Sequence, residues 1–210
     1  MSLGKTTGRL LLEACPNLKS LDIGFSDSKV HPTLDVLDEA FKCAPKLESL
    51  AIDMWALNGL GLHVAVTKLG PQLKQLCVRN ETITGNYVSD FSLRTLARYC
   101  PNLVSLSVKN SYSRYYSQAA ERKTDEGFKA LINGCALLEH IEMGGQSLTS
   151  ASLKVLVQRL SDQKLKNLQK LIISGLGENS ALGDGADEDT AAIKKRITEM
   201  LGNDNVAFTS

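Results

Sequence analysis

Apolar residues recur along this chain in one phrase, L-x-x-L-x-[ILV]. It occurs at Leu18–Leu21–Ile23, Leu47–Leu50–Ile52, Leu73–Leu76–Val78, Leu103–Leu106–Val108 and Leu168–Leu171–Ile173, with a degenerate copy at Leu138–Ile141–Met143. The starts fall at 18, 47, 73, 103, 138 and 168, so the steps are 29, 26, 30, 35 and 30 residues. Within the phrase, apolar and polar positions alternate with the period of a half-buried strand. Strands are therefore predicted near 18–23, 47–52, 73–78, 103–108, 138–143 and 168–173. Between the phrases the period changes from 2 to 3.6. "SDFSLRTLARYC" brings Phe91, Leu93, Leu96, Ala97 and Cys100 toward one side, with Ser89 or Asp90 as N-cap. "TDEGFKALINGC" sets Thr124 or Asp125 before Phe128, Leu131, Ile132 and Cys135, and "TSASLKVLVQRL" offers Ser150 or Ser152 as cap. "TLDVLDEAFKCA" and "LNGLGLHVAVTKLG" are looser versions.

Each unit thus reads as strand, loop, helix and a turn back. One unit cannot bury its leucines alone; a stack gives each leucine a neighbour above and below. The turn back is marked three residues before most phrases by Cys15, Gly70, Cys100, Cys135 or Leu165, and four before Leu47 by Cys43. A proline after such a position stops the helix, having no N–H to continue its bonding. The pattern resembles a leucine-rich repeat of the long, helix-containing kind over about residues 10–175, and the cysteine before Pro-Asn-Leu is similar to the cysteine-containing, ribonuclease-inhibitor-like subtype of F-box leucine-rich-repeat proteins. The resemblance implies an α/β solenoid, a curved horseshoe of about six to seven repeats, with parallel strands on the concave face and helices on the convex face. Residues 1–210 would form one domain.

The ends differ from the middle. "TTGRLLLEAC" gives barely two helical turns and no capping repeat, which predicts either a piece of a longer chain or an N-terminal edge that docks on something. "DTAAIKKRITEMLGN" reads as a closing helix over 189–201. Asp187, Glu188 and Asp189 suit its positive start and Gly202 its end, and "NVAF" is a stub of a seventh strand.

Composition narrows the function. The 210 residues carry a net charge of +1 and are 43% apolar, an ordinary globular balance that argues against nucleic acid as the main partner. The apolar run in "MSLGKTTGRLLLEA" is too short for a secretory signal. No stretch nears the roughly 18 apolar residues of a membrane span. Five cysteines without an export signal suggest reduced thiols in cytoplasm or nucleus. Cys15, Cys43, Cys100 and Cys135 sit in nearly one slot and are expected to pack as small hydrophobes, whereas Cys77 should point from the concave face as a candidate reactive thiol.

No motif carries a cofactor, metal or catalytic centre. Gly175-x-Gly177-x-x-Ser180 lacks the third glycine of a dinucleotide loop and is followed by acids. Gly4-Lys5-Thr6 has no glycine five residues upstream, and "DGADED" lacks calcium-loop spacing. His31, His63 and His140 have no second ligand at metal spacing on the same helix face. No serine or cysteine shows a partner pattern for nucleophilic catalysis.

The candidate chemistry is recognition. Alternation predicts concave triplets Ser20–Asp22–Gly24, Ser49–Ala51–Asp53, Gln75–Cys77–Arg79, Ser105–Ser107–Lys109, His140–Glu142–Gly144 and Lys170–Ile172–Ser174. Their third column runs from Asp53 to Arg79 and Lys109, acidic to basic. The loops leaving the strands share one rim and hold Phe25, Trp55, Tyr87, Tyr112, Tyr115 and Tyr116, with Arg114 in the longest loop. Exposed Trp, Tyr and Arg dominate interface energetics, and loops on a rigid frame carry function. The predicted partner-binding set is therefore Asp22, Phe25, Asp53, Trp55, Arg79, Tyr87, Lys109, Tyr112, Arg114, Tyr115, Tyr116, His140 and Glu142. The expected role is a non-catalytic module that binds another protein. By resemblance, this is the substrate-recruiting part of an F-box ubiquitin ligase subunit. A scaffold subunit held by its N-terminal edge or helical side, and a GTPase-regulating repeat protein, are the alternatives.

Overall fold

A computed structural model of the chain describes residues 13–23, 41–53, 59–80, 88–110, 124–144, 148–174, 182 and 188–209. Among them are seven strands: β1 (Ser20–Ile23), β2 (Ser49–Asp53), β3 (Gln75–Asn80), β4 (Ser105–Asn110), β5 (His140–Gly144), β6 (Lys170–Ser174) and β7 (Val206–Phe208). Five helices lie between or after them: α1 (Gly59–Leu69), α2 (Asp90–Tyr99), α3 (Asp125–Gly134), α4 (Ser150–Ser161) and α5 (Glu188–Leu201). The strands form one open sheet in chain order, β1-β2-β3-β4-β5-β6-β7, and every pair is parallel. The result is an α/β, solenoid-like stack. The closing helix begins one residue earlier than expected, at Glu188, and the seventh strand is present.

The repeated phrase stacks in register. Leu50, Leu76, Leu106, Ile141 and Leu171 are cross-strand partners in sequence, and Ile52 pairs with Val78, which pairs with Val108. All are at most 1% exposed and join one core with Leu93, Leu96, Phe128, Leu131, Leu153 and Leu156 of the helices. Burying each such side chain contributes about 1.5–3 kcal/mol, which is why the phrase must recur at one depth. A shift of one residue in any strand would turn its leucines to the other face.

Backbone bonds pin that register at the starts of β2 to β6. The carbonyl of Lys19 accepts from the N–H groups of Glu48 (2.8 Å) and Ser49 (2.9 Å), and Glu48 accepts from Lys74 (2.8 Å) and Gln75 (3.0 Å). The same pair of bonds continues at Lys74, Val104 and Glu139. Three residues before each phrase, a carbonyl accepts from the N–H of the phrase's first leucine: Cys15 from Leu18, Ala44 from Leu47, Gly70 from Leu73, Cys100 from Leu103, Cys135 from Leu138 and Leu165 from Leu168. Proline follows the first four of these positions, as Pro16, Pro45, Pro71 and Pro101. Gly70 has φ +48°, a left-handed helix exit that favours glycine.

This geometry corrects several readings. The second repeat's slot belongs to Ala44, fully buried, and not to the half-buried Cys43. Cys100 and Cys135 do pack inside, but Cys15 is exposed. Phe91 does not face the core: it lies about 160° around the helix from Leu93 and is 53% exposed, its ring 5.3 Å from that of His63. The cap of α4 is Thr149 rather than Ser150 or Ser152, since its side chain accepts from the Ala151 N–H. Thr124 caps α3 in the same way, accepting from the Glu126 N–H.

An acid at the start of one helix holds the cap of the next. Asp90 accepts from the Thr124 N–H (2.7 Å), the Thr124 hydroxyl (2.5 Å) and the Gly127 N–H (3.1 Å). Asp125 does the same for Thr149, accepting from its N–H (2.8 Å) and hydroxyl (2.5 Å), and also from Ser152. These bonds satisfy helix-start donors that would otherwise be orphaned and place negative charge at positive helix ends.

Candidate functional site

The described helices cover one face of the sheet. On the other, alternation brings the intervening residues into rows. One row runs Ser20, Ser49, Gln75, Ser105, His140, Lys170, and the next Asp22, Ala51, Cys77, Ser107, Glu142, Ile172, Ala207. A third contains Asp53, Arg79 and Lys109 on neighbouring strands and, farther on, Gly144 beside Ser174. The side chains of the first two rows are half-buried or exposed, against burial on the helix side that is complete in β2–β6 and partial at the edge strands, at Leu21, Val206 and Phe208. The first two members of each sequence-derived triplet therefore share one accessible, mainly polar surface.

Two predicted contact residues meet each other. The Arg79 guanidinium donates to both carboxylate oxygens of Asp22, from Nη1 at 3.0 Å and from Nη2. The pair reaches across β2, which contributes only Ala51 to Asp22's row. The hydrogen bond from Arg79 holds the Asp22 carboxyl below its ordinary value. Charges that the sequence suggested for a partner here neutralise one another, and sequence spacing of 57 residues gave no sign of it. Glu48, just before β2, is likewise held below its ordinary value by the hydrogen bond from Lys74 at 2.8 Å.

The β4–β6 region differs. Ser107 donates to Glu142 Oε2 at 2.6 Å. A depression of about 290 Å3 opens over these strands, lined by Ser105, Leu106, Ser107, His140, Ile141, Glu142, Lys170 and Ile172. The His140 Nδ1 atom is buried and has no hydrogen-bond partner among the described residues. His140 and Glu142 thus stand where the sequence placed them. Ser107, Lys170 and Ile172 complete the site; the same alternation put them on this face, but only cross-strand register joins them to His140.

Asp53 and Lys109 occupy the third row through the backbone register. Phe25, Trp55, Tyr87, Tyr112, Arg114, Tyr115 and Tyr116, the predicted rim, lie outside the described residues. Cys77 is half-buried on the open face. Burial pushes the Cys100 and Cys135 thiols up to about 12, so they are inert packing groups. On the helical side, His63, exposed Phe91 and Tyr99 form a ring cluster, and Arg98 lies 5.5 Å from the Tyr99 ring centre. Among the described residues, no group of three or more His, Cys, Asp or Glu side chains could hold a metal ion. No described helix is long and apolar enough to cross a membrane.

No family model matches this chain, and no curated protein matches it. Among solved structures, it is similar to a chain in the crystal structure of the Rad7 and Elc1 complex in yeast, at 19% identity and a TM-score of 0.38. The match covers 98% of this chain and 63% of that one, so the chain spans less than two thirds of its neighbour's length.

Proposed function

We propose that this chain is a non-catalytic protein-recognition module, a leucine-rich-repeat horseshoe of the cysteine-containing subtype. Its open sheet face and the aromatic loops at the strand exits hold a partner protein. The reading rests on one contrast. The inward residues of β2–β6 are buried under helices, while the outward rows at the same register are mainly polar and accessible. A folded stack needs only the first; the second is a surface with its own side-chain order. By resemblance, F-box proteins use such repeats to hold a substrate for ubiquitin transfer, and that is the specific role proposed here.

The test is affinity capture of binding proteins by the full chain, read by mass spectrometry. Two variants are compared with wild type: Tyr112→Ala/Tyr115→Ala/Tyr116→Ala on the rim, and Ala51→Arg/Ser105→Arg on the open face. Capture should fall about tenfold in each, the loss of ~1.4 kcal/mol, with the melting temperature unchanged. Full capture by both variants would defeat the reading. The exposed Phe91 beside His63 favours a second one, a scaffold gripped on its helical side. That reading requires Phe91→Glu, and not the face or rim variants, to abolish capture.

A further inference from the structure

We propose that the depression over β4–β6 accepts an extended segment of the partner carrying an acidic and a basic side chain two residues apart. The proposal rests on the recognition reading above and adds the chemistry of the occupant.

The register carries the argument. His140 and Lys170 are cross-strand neighbours, so two basic groups stand side by side in one row. Two residues farther along, Glu142 and Ile172 are neighbours in the next row. Two strand residues span about 6.6 Å. In an extended occupant, side chains i and i+2 point the same way at the same spacing. An acid at i meets Lys170 and His140 while a base at i+2 meets Glu142.

Local details fit that occupant. His140 is half-buried and Lys170 exposed in the lining of the depression, so both are within reach of an occupant. The half-buried ring donates through its other nitrogen, Nε2, to the incoming carboxylate beside the exposed Lys170 ammonium. Ser107 fixes Oε2 of Glu142 and leaves Oε1 for the incoming cation. The aliphatic stem of a lysine or arginine lies on Ile172 and its strand neighbour Ala207. At the other end of the face, the Asp22 and Arg79 charges already satisfy each other.

The experiment is an NMR titration of the full chain with acetyl-Glu-Ala-Lys-amide. Controls are acetyl-Glu-Ala-Glu-amide, acetyl-Lys-Ala-Lys-amide and acetyl-Glu-Lys-Ala-amide, which alter charge or spacing. Saturable shifts of the His140 ring and of the amides of β5 and β6 are expected with the first peptide alone. Lys170→Gln and Glu142→Gln should each weaken binding about fivefold, the worth of one part-exposed charge pair. An unchanged thermal midpoint shows that both variants stay folded. Equal response to the controls, no saturable response up to the solubility limit, or unaffected variants would overturn the proposal. If the open-face variant loses partner capture while the peptide gives no response, the occupant's chemistry is wrong and recognition stands. If capture survives both the face and the rim variants, recognition itself is wrong.

Discussion

Gly134→Ala tests whether neighbouring helices approach as closely as the stack requires. A methyl carbon at Gly134 would lie 2.4 Å from the Ala97 carbonyl oxygen and 2.7 Å from both Ala97 Cα and Cβ. Non-bonded carbon atoms sit best at about 3.5–4.0 Å, so α2 and α3 would have to separate by about 1 Å. Two of the three obstructing atoms are backbone, which no rotamer change can move. Gly127, two turns earlier in α3, approaches Asp90 in the same way: an added methyl would meet its Oδ1 at 2.2 Å and its Cα at 2.9 Å. Parting the helices therefore also stretches the bonds from Thr124 and Gly127 to Asp90. Overpacking of this kind costs about 1–3 kcal/mol, and alanine's advantage over glycine in a helix offsets up to about 1 kcal/mol. The net expectation is a loss of about 1–2 kcal/mol, or a melting point lowered by roughly 2–8 °C at this chain length. Urea unfolding followed by far-UV circular dichroism gives the first quantity and a thermal scan the second. Adding Ala97→Gly should restore only part of the loss, because the backbone of residue 97 still stands in the way. An unchanged or raised melting point in Gly134→Ala would refute the close approach, and complete rescue by Ala97→Gly would refute the backbone clash.

Other outcomes follow from the same packing. Leu106→Ala empties a site 1% exposed between Leu76 and Ile141 and should cost about 2–5 kcal/mol in urea unfolding; a loss below about 1 kcal/mol would show that the row is not packed. At Asp125, burial raises the carboxyl's pKa. Hydrogen bonds from Ser152 and Thr149, with the charge of Lys129, outweigh that effect and leave it below the ordinary value. A depressed folded pKa adds stability above the unfolded value that is lost as pH falls through the folded one. The stability gap between wild type and Asp125→Asn should thus be constant near neutrality and shrink below about pH 4; a gap that widens on acidification would reverse the assignment. Cys100 and Cys135 should resist a neutral thiol reagent in the native protein and react in denaturant, and rapid native modification of either would contradict their burial.

The core is legible because one phrase recurs at a near-constant step. Leu76, Leu106 and Leu171 lie where alternation puts them, and the helix faces of α3 and α4 follow their 3.6 period. Legibility ends where a residue's neighbour is distant in sequence. Phe91 reads as core because it is apolar, although the angular position of Leu93 and Leu96 sets it on the opposite side. Cys43 reads as the turn position because cysteines mark three of the other turns, while the bond from the Leu47 N–H selects Ala44. Thr149 escapes notice as a cap because its anchor, Asp125, belongs to the preceding unit.

By itself the sequence determined the alternation of strand and helix, the parallel order of the stack and the identity of the residues on its open face. Those follow from local periodicity and from the need of each unit to bury its leucines against the next. Tertiary structure alone decided which of the open-face charges pair with one another and which do not. Asp22 and Arg79 are brought together across an intervening strand, whereas His140, Glu142 and Lys170 are gathered around one depression. Pairing between charges depends on strand register and side-chain reach, and neither is encoded at any single position.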